Sequence, residues 1–318
     1  MQLTPAAIAA SPDHYLHSFE GGDAVIVPMD RAAYARSIFL DARISSAREG
    51  AALLPVAQLA EAAPPPRTTA WIFHVAHCGS TLLARALEAI SSGLVLREPM
   101  ALRQLAFAPD PARLQLVLAM LSRRYGGEEP TLIKANVPVN ALLPAIAAAD
   151  PAAPAVFLHL SLEDYALAVL RSPQHRGWVR DIAARFAAVP AGAGDAECLA
   201  ALWLWQMRAF ADALAVLPAA CTLDAERFYA EPAPVLAALA PRLGRQAEPA
   251  RIAAAVRGPL FNTYSKRPGV AFDNAARLER RAVLLRELAA ELAEVRSAAE
   301  RAAPDLAALE ARTAVAAL

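Results

Sequence analysis

The chain has 318 residues, enough for one large domain or a core domain with an appendage, and long enough to bury a substantial core. Its 31 Lys and Arg balance its 31 Asp and Glu, and no block of like charge stands out, which argues against a general nucleic-acid or polyanion binder. The 57% hydrophobic fraction is inflated by alanine, and the two most apolar windows, 139–162 and 198–221, contain Asp150 with three prolines and Arg208 with Asp212, so both read as buried core and not as membrane spans.

The start, Met1-Gln2-Leu3-Thr4-Pro5, lacks the basic region and apolar run of a secretory signal, which makes the cytoplasm the expected compartment, without membrane insertion. In residues 23–41, the run Ala24-Val25-Ile26-Val27 predicts a strand. Asp30 then reads as an N-cap, and Tyr34, Ile38 and Phe39 carry a helical pattern. Pro64-Pro65-Pro66 breaks the chain before a new beginning at Thr68. Residues 1–65 are thus expected to form a small α/β appendage and linker, 66–270 the core, and 271–318 a helical segment packed on it.

Within the core, short apolar runs at 71–75, 94–96, 132–134, 156–159 and 221–223 alternate with helical patterns. They predict an α/β fold with a parallel sheet in three layers, helices on both faces. Trp203, Trp205 and Phe210 are expected to pack the helix before the last strand, with one of them able to line an acceptor pocket. Residues 272–302, with Leu278, Leu284, Leu285, Leu288, Leu292 and Val295 among charges, predict one long C-terminal helix. Cys78, Cys198 and Cys221 form no CxxC pair and no cluster with histidine, so neither a disulfide framework nor a bound metal is expected. His14, His17 and His175 lack ligand spacing and read as surface residues, and His159 as a satisfied edge or core residue.

Two signals point to chemistry. Lys134 and Lys266 are the only lysines among many arginines, and the four asparagines, Asn136, Asn140, Asn262 and Asn274, lie near them. Under such a bias, a retained lysine marks a place where a compact, flexible point charge is needed. The second signal is the turn from the first core strand, Trp71-Ile72-Phe73-His74-Val75-Ala76-His77-Cys78-Gly79-Ser80-Thr81, into a helix with Leu83, Leu87 and Ile90 in step. It would put free backbone N–H groups and a helix N-terminus at the carboxyl edge of the sheet, where an anion can bind. The plain alternative is an ordinary strand-to-helix turn capped by Ser80. A Walker A loop does not fit, because His74 stands at the first glycine and Ser80 at the lysine.

The segment Ala76-His77-Cys78-Gly79-Ser80-Thr81-Leu82-Leu83 resembles the 5′-phosphosulfate loop of the P-loop sulfotransferases: a basic residue, a small residue, Gly, then two hydroxyl residues. Lys134-Ala135-Asn136-Val137-Pro138 resembles that family's Lys-Thr-His-x-Pro segment, with Asn136 in place of the basic histidine. Leu223 to Phe228, followed by Pro232, Leu236 and Leu243-Gly244, resembles its late strand and helix. The resemblance implies a P-loop-type fold and transfer of a sulfuryl group from 3′-phosphoadenosine 5′-phosphosulfate to a hydroxyl or amine acceptor, small molecule or peptide. It implies donor contacts at His77, Cys78, Gly79, Ser80 and Thr81, with Lys134 and His77 on the transferring group.

The family's 3′-phosphate donors fall on Leu160 and Ala168 here. Ser161, Arg171 or Ser172 would have to compensate, while Ser265-Lys266-Arg267-Pro268-Gly269 weakly resembles the C-terminal loop that grips the same phosphate. Lys266 and Arg267 read equally as solvated charge. Because an asparagine takes up no proton at neutral pH, Glu98, in Leu96-Arg97-Glu98-Pro99 after the second core strand, becomes the candidate base. A carboxylate paired with Arg97 or Arg103 is its plain reading. Two other readings of the chain stay open: a nucleotide-dependent phosphotransferase with a degenerate loop, and a non-catalytic nucleotide or phosphate binder on the same fold. The sequence specifies neither the acceptor nor the oligomeric state.

Overall fold

The computed structural model describes residues 4–126 and 129–318, the side chains of Arg267 and Pro268 excepted. Strands β1 (His14–Glu20), β2 (Asp23–Pro28) and β3 (Ala52–Pro55) form an antiparallel sheet in that order. Asp30 caps the helix Arg31–Arg36 by accepting from the Ala33 N–H at 2.6 Å. That helix is shorter than the pattern through Phe39 suggests. Its free carbonyls are collected by the buried Arg97, whose guanidinium donates to Tyr34, Ala35 and Ser37 while pairing with Glu88 at 2.7 Å. The chain therefore leaves the helix at Ser37, and Phe39 points elsewhere than a continued helix would send it.

The core holds five parallel strands: β4 (Ala70–His74), β5 (Val95–Arg97), β6 (Leu132–Lys134), β7 (Ala155–His159) and β8 (Cys221–Asp224). Their order is β5-β6-β4-β7-β8, all parallel, with helices between them. Every residue of β4 is buried, as expected of a strand covered on both faces. Trp71 stacks on Phe73 at 5.3 Å, and Phe73 continues through Phe157 to Phe210 on the long helix Asp195–Leu214, which covers one face. The fold is the expected α/β sheet in three layers with an N-terminal α/β appendage. From β4 the chain moves two strands one way to β5, and from β6 two strands the other way to β7. Right-handed crossovers send the helices Ser80–Ile90 and Leu143–Ala149 to opposite faces. Their starting edges, on neighbouring strands, leave a crevice between them.

After the core, β9 (Thr263–Tyr264) and β10 (Arg267–Ala271) form a hairpin. The single long helix predicted over 272–302 is divided at Leu288 into Asn274–Glu287 and Ala289–Ala302. The two halves are held differently. The second buries Val295, Ala298 and Ala299, whereas the first buries no residue and is tied to the body by charge: Arg277 to Glu226, and Arg281 to Asp164 and Glu163. Among the described residues, no helix is long and apolar enough to cross a membrane.

Candidate functional site

The crevice is floored by the turn after β4. Ala76, His77 and Gly79 all have left-handed backbone, at φ 72°, 53° and 78°. Gly79 is at the N-cap of Ser80–Ile90, and no side chain caps this helix, so Ser80 is its first residue and not its cap. The first-turn N–H groups are left for another acceptor. Glycine is required at position 79 twice over, by its φ and because a Cβ there would lie 2.5 Å from the Tyr229 hydroxyl. The turn is braced by His74. Its Nδ1 accepts from the Ala76 N–H at 3.0 Å, so Nε2 carries the proton and donates it to the Ala135 carbonyl at 2.9 Å. Burial, then the charge of Lys134, keeps this imidazole neutral. His74 thus ties the turn to the chain leaving β6.

Lys134 and Glu98 meet at the neighbouring strand ends as an ion pair, with Lys134 1% exposed and Glu98 15%. The backbone turns sharply to allow it: Glu98 has φ 57°, and its N–H donates to the Lys134 carbonyl at 2.7 Å. Arg97 is committed to Glu88 and to backbone carbonyls, so Glu98 pairs with the lysine and not with an arginine. Lys266, from the distant hairpin, comes to the same place. The Lys134 ammonium is 5.7 Å and that of Lys266 5.9 Å from the centroid of the Phe39 ring, with the Arg43 guanidinium at 4.0 Å. Burial, then Lys134, lowers the Lys266 pKa. Arg43 is balanced by Asp41, whose carboxylate takes its Nε proton at 2.9 Å. The chain's only two lysines therefore converge on one aromatic ring, with the half-buried Glu98 carboxylate on Lys134.

His77 stacks on His175 at 4.0 Å between ring centroids and meets Trp178 edge-on at 5.7 Å, both on the helix Pro173–Phe186. Burial, then His175, pushes its pKa down to about 3, so it offers a ring nitrogen and no positive charge at neutral pH. The surface position expected for His175 is corrected to this stacking contact. Cys78 is buried with its thiol pushed up to about 11, so it can serve a ligand only through its backbone. Ser80 and Thr81 are buried, and Thr81 Oγ1, His77 Nε2 and Asn136 Oδ1 are buried without a hydrogen-bond partner among the described residues. Orphaned atoms of this kind around one turn are what a polar ligand would satisfy.

Ser161 lies at the same sheet edge but caps the helix Leu162–Leu170, accepting from the Asp164 N–H at 3.0 Å and donating to its carboxylate at 2.9 Å. Ser172 caps Pro173–Phe186. Arg171 is exposed, has no carboxylate partner among the described residues, and lies close enough to lower the His77 pKa. The Arg267 side chain lies outside the described residues. His74, Phe39, Arg43, Trp178 and Tyr229 complete the surroundings without having been singled out from sequence. Of these only His74, inside the turn, carried a local signal.

No protein-family model matches the chain, and no curated protein matches it in sequence. Among solved structures it is similar to a sulfotransferase domain from the curacin biosynthetic pathway, with 12% identity and a TM-score of 0.42 over 66% of this chain and 84% of that chain.

Proposed function

We propose that the protein is a sulfotransferase-like enzyme that takes its sulfuryl group from 3′-phosphoadenosine 5′-phosphosulfate and passes it to a hydroxyl or amine. The observation that carries this reading is the buried Lys134–Glu98 pair beside an uncapped helix N-terminus, with the second lysine turned to the same spot. The N–H groups and hydroxyls at Gly79, Ser80 and Thr81 suit a 5′ phosphate. Thr81 Oγ1, buried and free, can donate to it. Lys134 and Lys266 supply the compact positive charge needed where negative charge builds on the bridging oxygen. His77 contributes a neutral donor in place of the cation the motif calls for.

In the step itself, the Glu98 carboxylate takes the acceptor's proton and the acceptor oxygen or nitrogen bonds to sulfur. The bond from sulfur to the bridging oxygen breaks, leaving its electron pair on adenosine 3′,5′-bisphosphate. Glu98 already accepts a hydrogen bond from the Lys134 ammonium, so the base lies beside the cation that would meet the transferring group.

Calorimetric titration tests the donor. Adenosine 3′,5′-bisphosphate is expected to bind at least ten-fold tighter than adenosine 5′-monophosphate and than ATP with magnesium, and Lys134→Ala to weaken it. Preference for ATP with magnesium would return the chain to the phosphotransferase reading. Bisphosphate binding with no transfer from the phosphosulfate to any alcohol or amine would leave a binding protein.

A further inference from the structure

A cavity of about 1000 Å³ lies outside the crevice, on the helical face between Leu143–Ala149 and Asp195–Leu214. It runs along the longer helix from Ala201 to Ala213, a length of about 18 Å at 1.5 Å per residue, and ends at Val216 just past it. Its walls are apolar, with Leu143, Pro144, Phe186, Leu204 and Trp205 among them, and its charged residues, Arg208 and Asp212, are exposed. Arg208 is engaged with the Ala302 carbonyl and Asp212 with Arg312, so neither is a free head-group site. A protein does not keep so large an apolar volume open to water without a reason.

One wall residue is different. Asn140 is 1% exposed; its amide N–H donates to the His74 carbonyl at 3.2 Å, and its Oδ1 has no partner among the described residues. An amide oxygen buried in this way calls for a hydrogen-bond donor, and Asn140 is one of the residues that line the cavity. Asn140 is on the 3-10 turn Val137–Leu142 that starts three residues after Lys134, and Asn136, whose amide oxygen is also orphaned, caps the same turn. The chain that leaves Lys134 thus carries two unpartnered amide oxygens within six residues, the second on a residue of the cavity lining. On the opposite side, the helix Pro173–Phe186 carries Trp178 against His77 and Phe186 in the cavity wall, about 12 Å further along.

We infer that this cavity binds an elongated, largely apolar alcohol or amine, its chain along Asp195–Leu214 and its O–H or N–H donated to Asn140 Oδ1, and that this class of molecule is the sulfuryl acceptor. The binding half stands on the cavity and Asn140 alone; the acceptor half rests on the function proposed above. An O–H or N–H is the donor that the orphaned oxygen lacks and also the group a sulfuryl acceptor must present. A carboxylate would meet an acceptor atom and lose on contact.

The test titrates the full-length protein, without nucleotide, with 1-decanol, decylamine, decane and decanoate, following tryptophan emission, to which Trp205 in the wall contributes. The alcohol and amine are expected to bind at least ten-fold tighter than the alkane or the acid. Ala209→Trp, which fills the cavity from the helix, should weaken them at least ten-fold while binding adenosine 3′,5′-bisphosphate as the wild type does. Equal binding of alkane and alcohol, tighter binding of decanoate, or no binding of any probe by folded wild type would overturn the inference. If decanol binds and the bisphosphate does not, the cavity assignment stands and the sulfuryl-transfer reading falls. Bisphosphate binding with no decanol binding has the opposite meaning. The wild-type comparison of four probes does not depend on how the variant folds.

Discussion

Lys134 is 1% exposed, with its ammonium against a carboxylate and over an aromatic ring, a volume that fits a tetrahedral head and not a planar fork. The scarcity of lysine in this arginine-rich chain then has a physical reading at Lys134, where a guanidinium would be too large. Lys134→Arg keeps the charge and loses the fit. It is expected to lower turnover about 100-fold or more, the scale seen when one transition-state donor is removed, while Lys266→Arg, on the more open hairpin, costs less. Steady-state rates with one acceptor check this, and equal small losses would deny Lys134 its role. His77 gives a prediction of another kind. Its pKa is held near 3 against an ordinary 6.5, so below pH 6.5 the unfolded chain binds a proton there that the folded chain does not. Stability is fully present above pH 6.5 and is lost as pH falls from there toward 3. At pH 5 the loss from this residue is about 2 kcal/mol. Urea unfolding at pH 7 and pH 5 should show a smaller difference in His77→Asn than in wild type; an identical difference would mean that the ring is solvated.

The parallel strands were legible in the amino-acid sequence, because a buried strand must be a short apolar run and β4, β6 and β8 are little else. The turn after β4 was legible from Gly79 and its neighbours, and Lys134, Glu98 and Lys266 from rarity and from their place at strand ends and in a loop. Phe39 was not. The pattern of Tyr34, Ile38 and Phe39 is helical, and what ends the helix at Ser37 is Arg97, some 60 residues away, whose hydrogen bonds no local window contains. His175 and Trp178 were hidden for the same reason: they reach His77 only through packing between elements. The break at Leu288 likewise has neither Pro nor Gly to announce it. Arg97 thus shapes both the end of a helix and the place of Phe39, which makes it testable as an element-level part. Arg97→Leu leaves Glu88 and four carbonyls without their donor and is expected to cost about 3–5 kcal/mol. Chemical denaturation measures it, and a loss under 1 kcal/mol would show that the carbonyls find other donors.

The site draws on the whole length of the chain: Phe39 and Arg43 from the appendage, Glu98 and Lys134 from the sheet, Lys266 from the hairpin. The first two groups are fixed by a buried core, but the hairpin is not. It is held by Arg85, which donates to the Ser265 carbonyl at 2.9 Å, and by the helix that follows it, Asn274–Glu287, which buries nothing. That helix is fastened by Arg277, bidentate on Glu226 at 2.6 and 2.9 Å and with its guanidinium 4.4 Å from the Tyr229 ring centroid, and by Arg281 on Asp164 at 2.5 Å. Tyr229 in turn packs on Gly79, so the strap also bears on the anion-binding turn. Partly exposed pairs contribute about 0–1 kcal/mol each and weaken as the screening length falls from about 10 Å at 0.1 M salt to about 3 Å at 1 M. A few such bonds make the strap far easier to open than the core helix Asp195–Leu214. Amide hydrogen exchange in 274–287 is therefore expected to speed up several-fold between 0.1 M and 1 M NaCl while 195–214 stays unchanged. Glu226→Gln should give the fast exchange already at low salt. If 274–287 exchanges as slowly as the core helix and ignores salt, charge is not what holds Lys266 over the crevice, and the apolar contacts of Phe272, just after the hairpin, with Tyr264 and Tyr229 must do so instead.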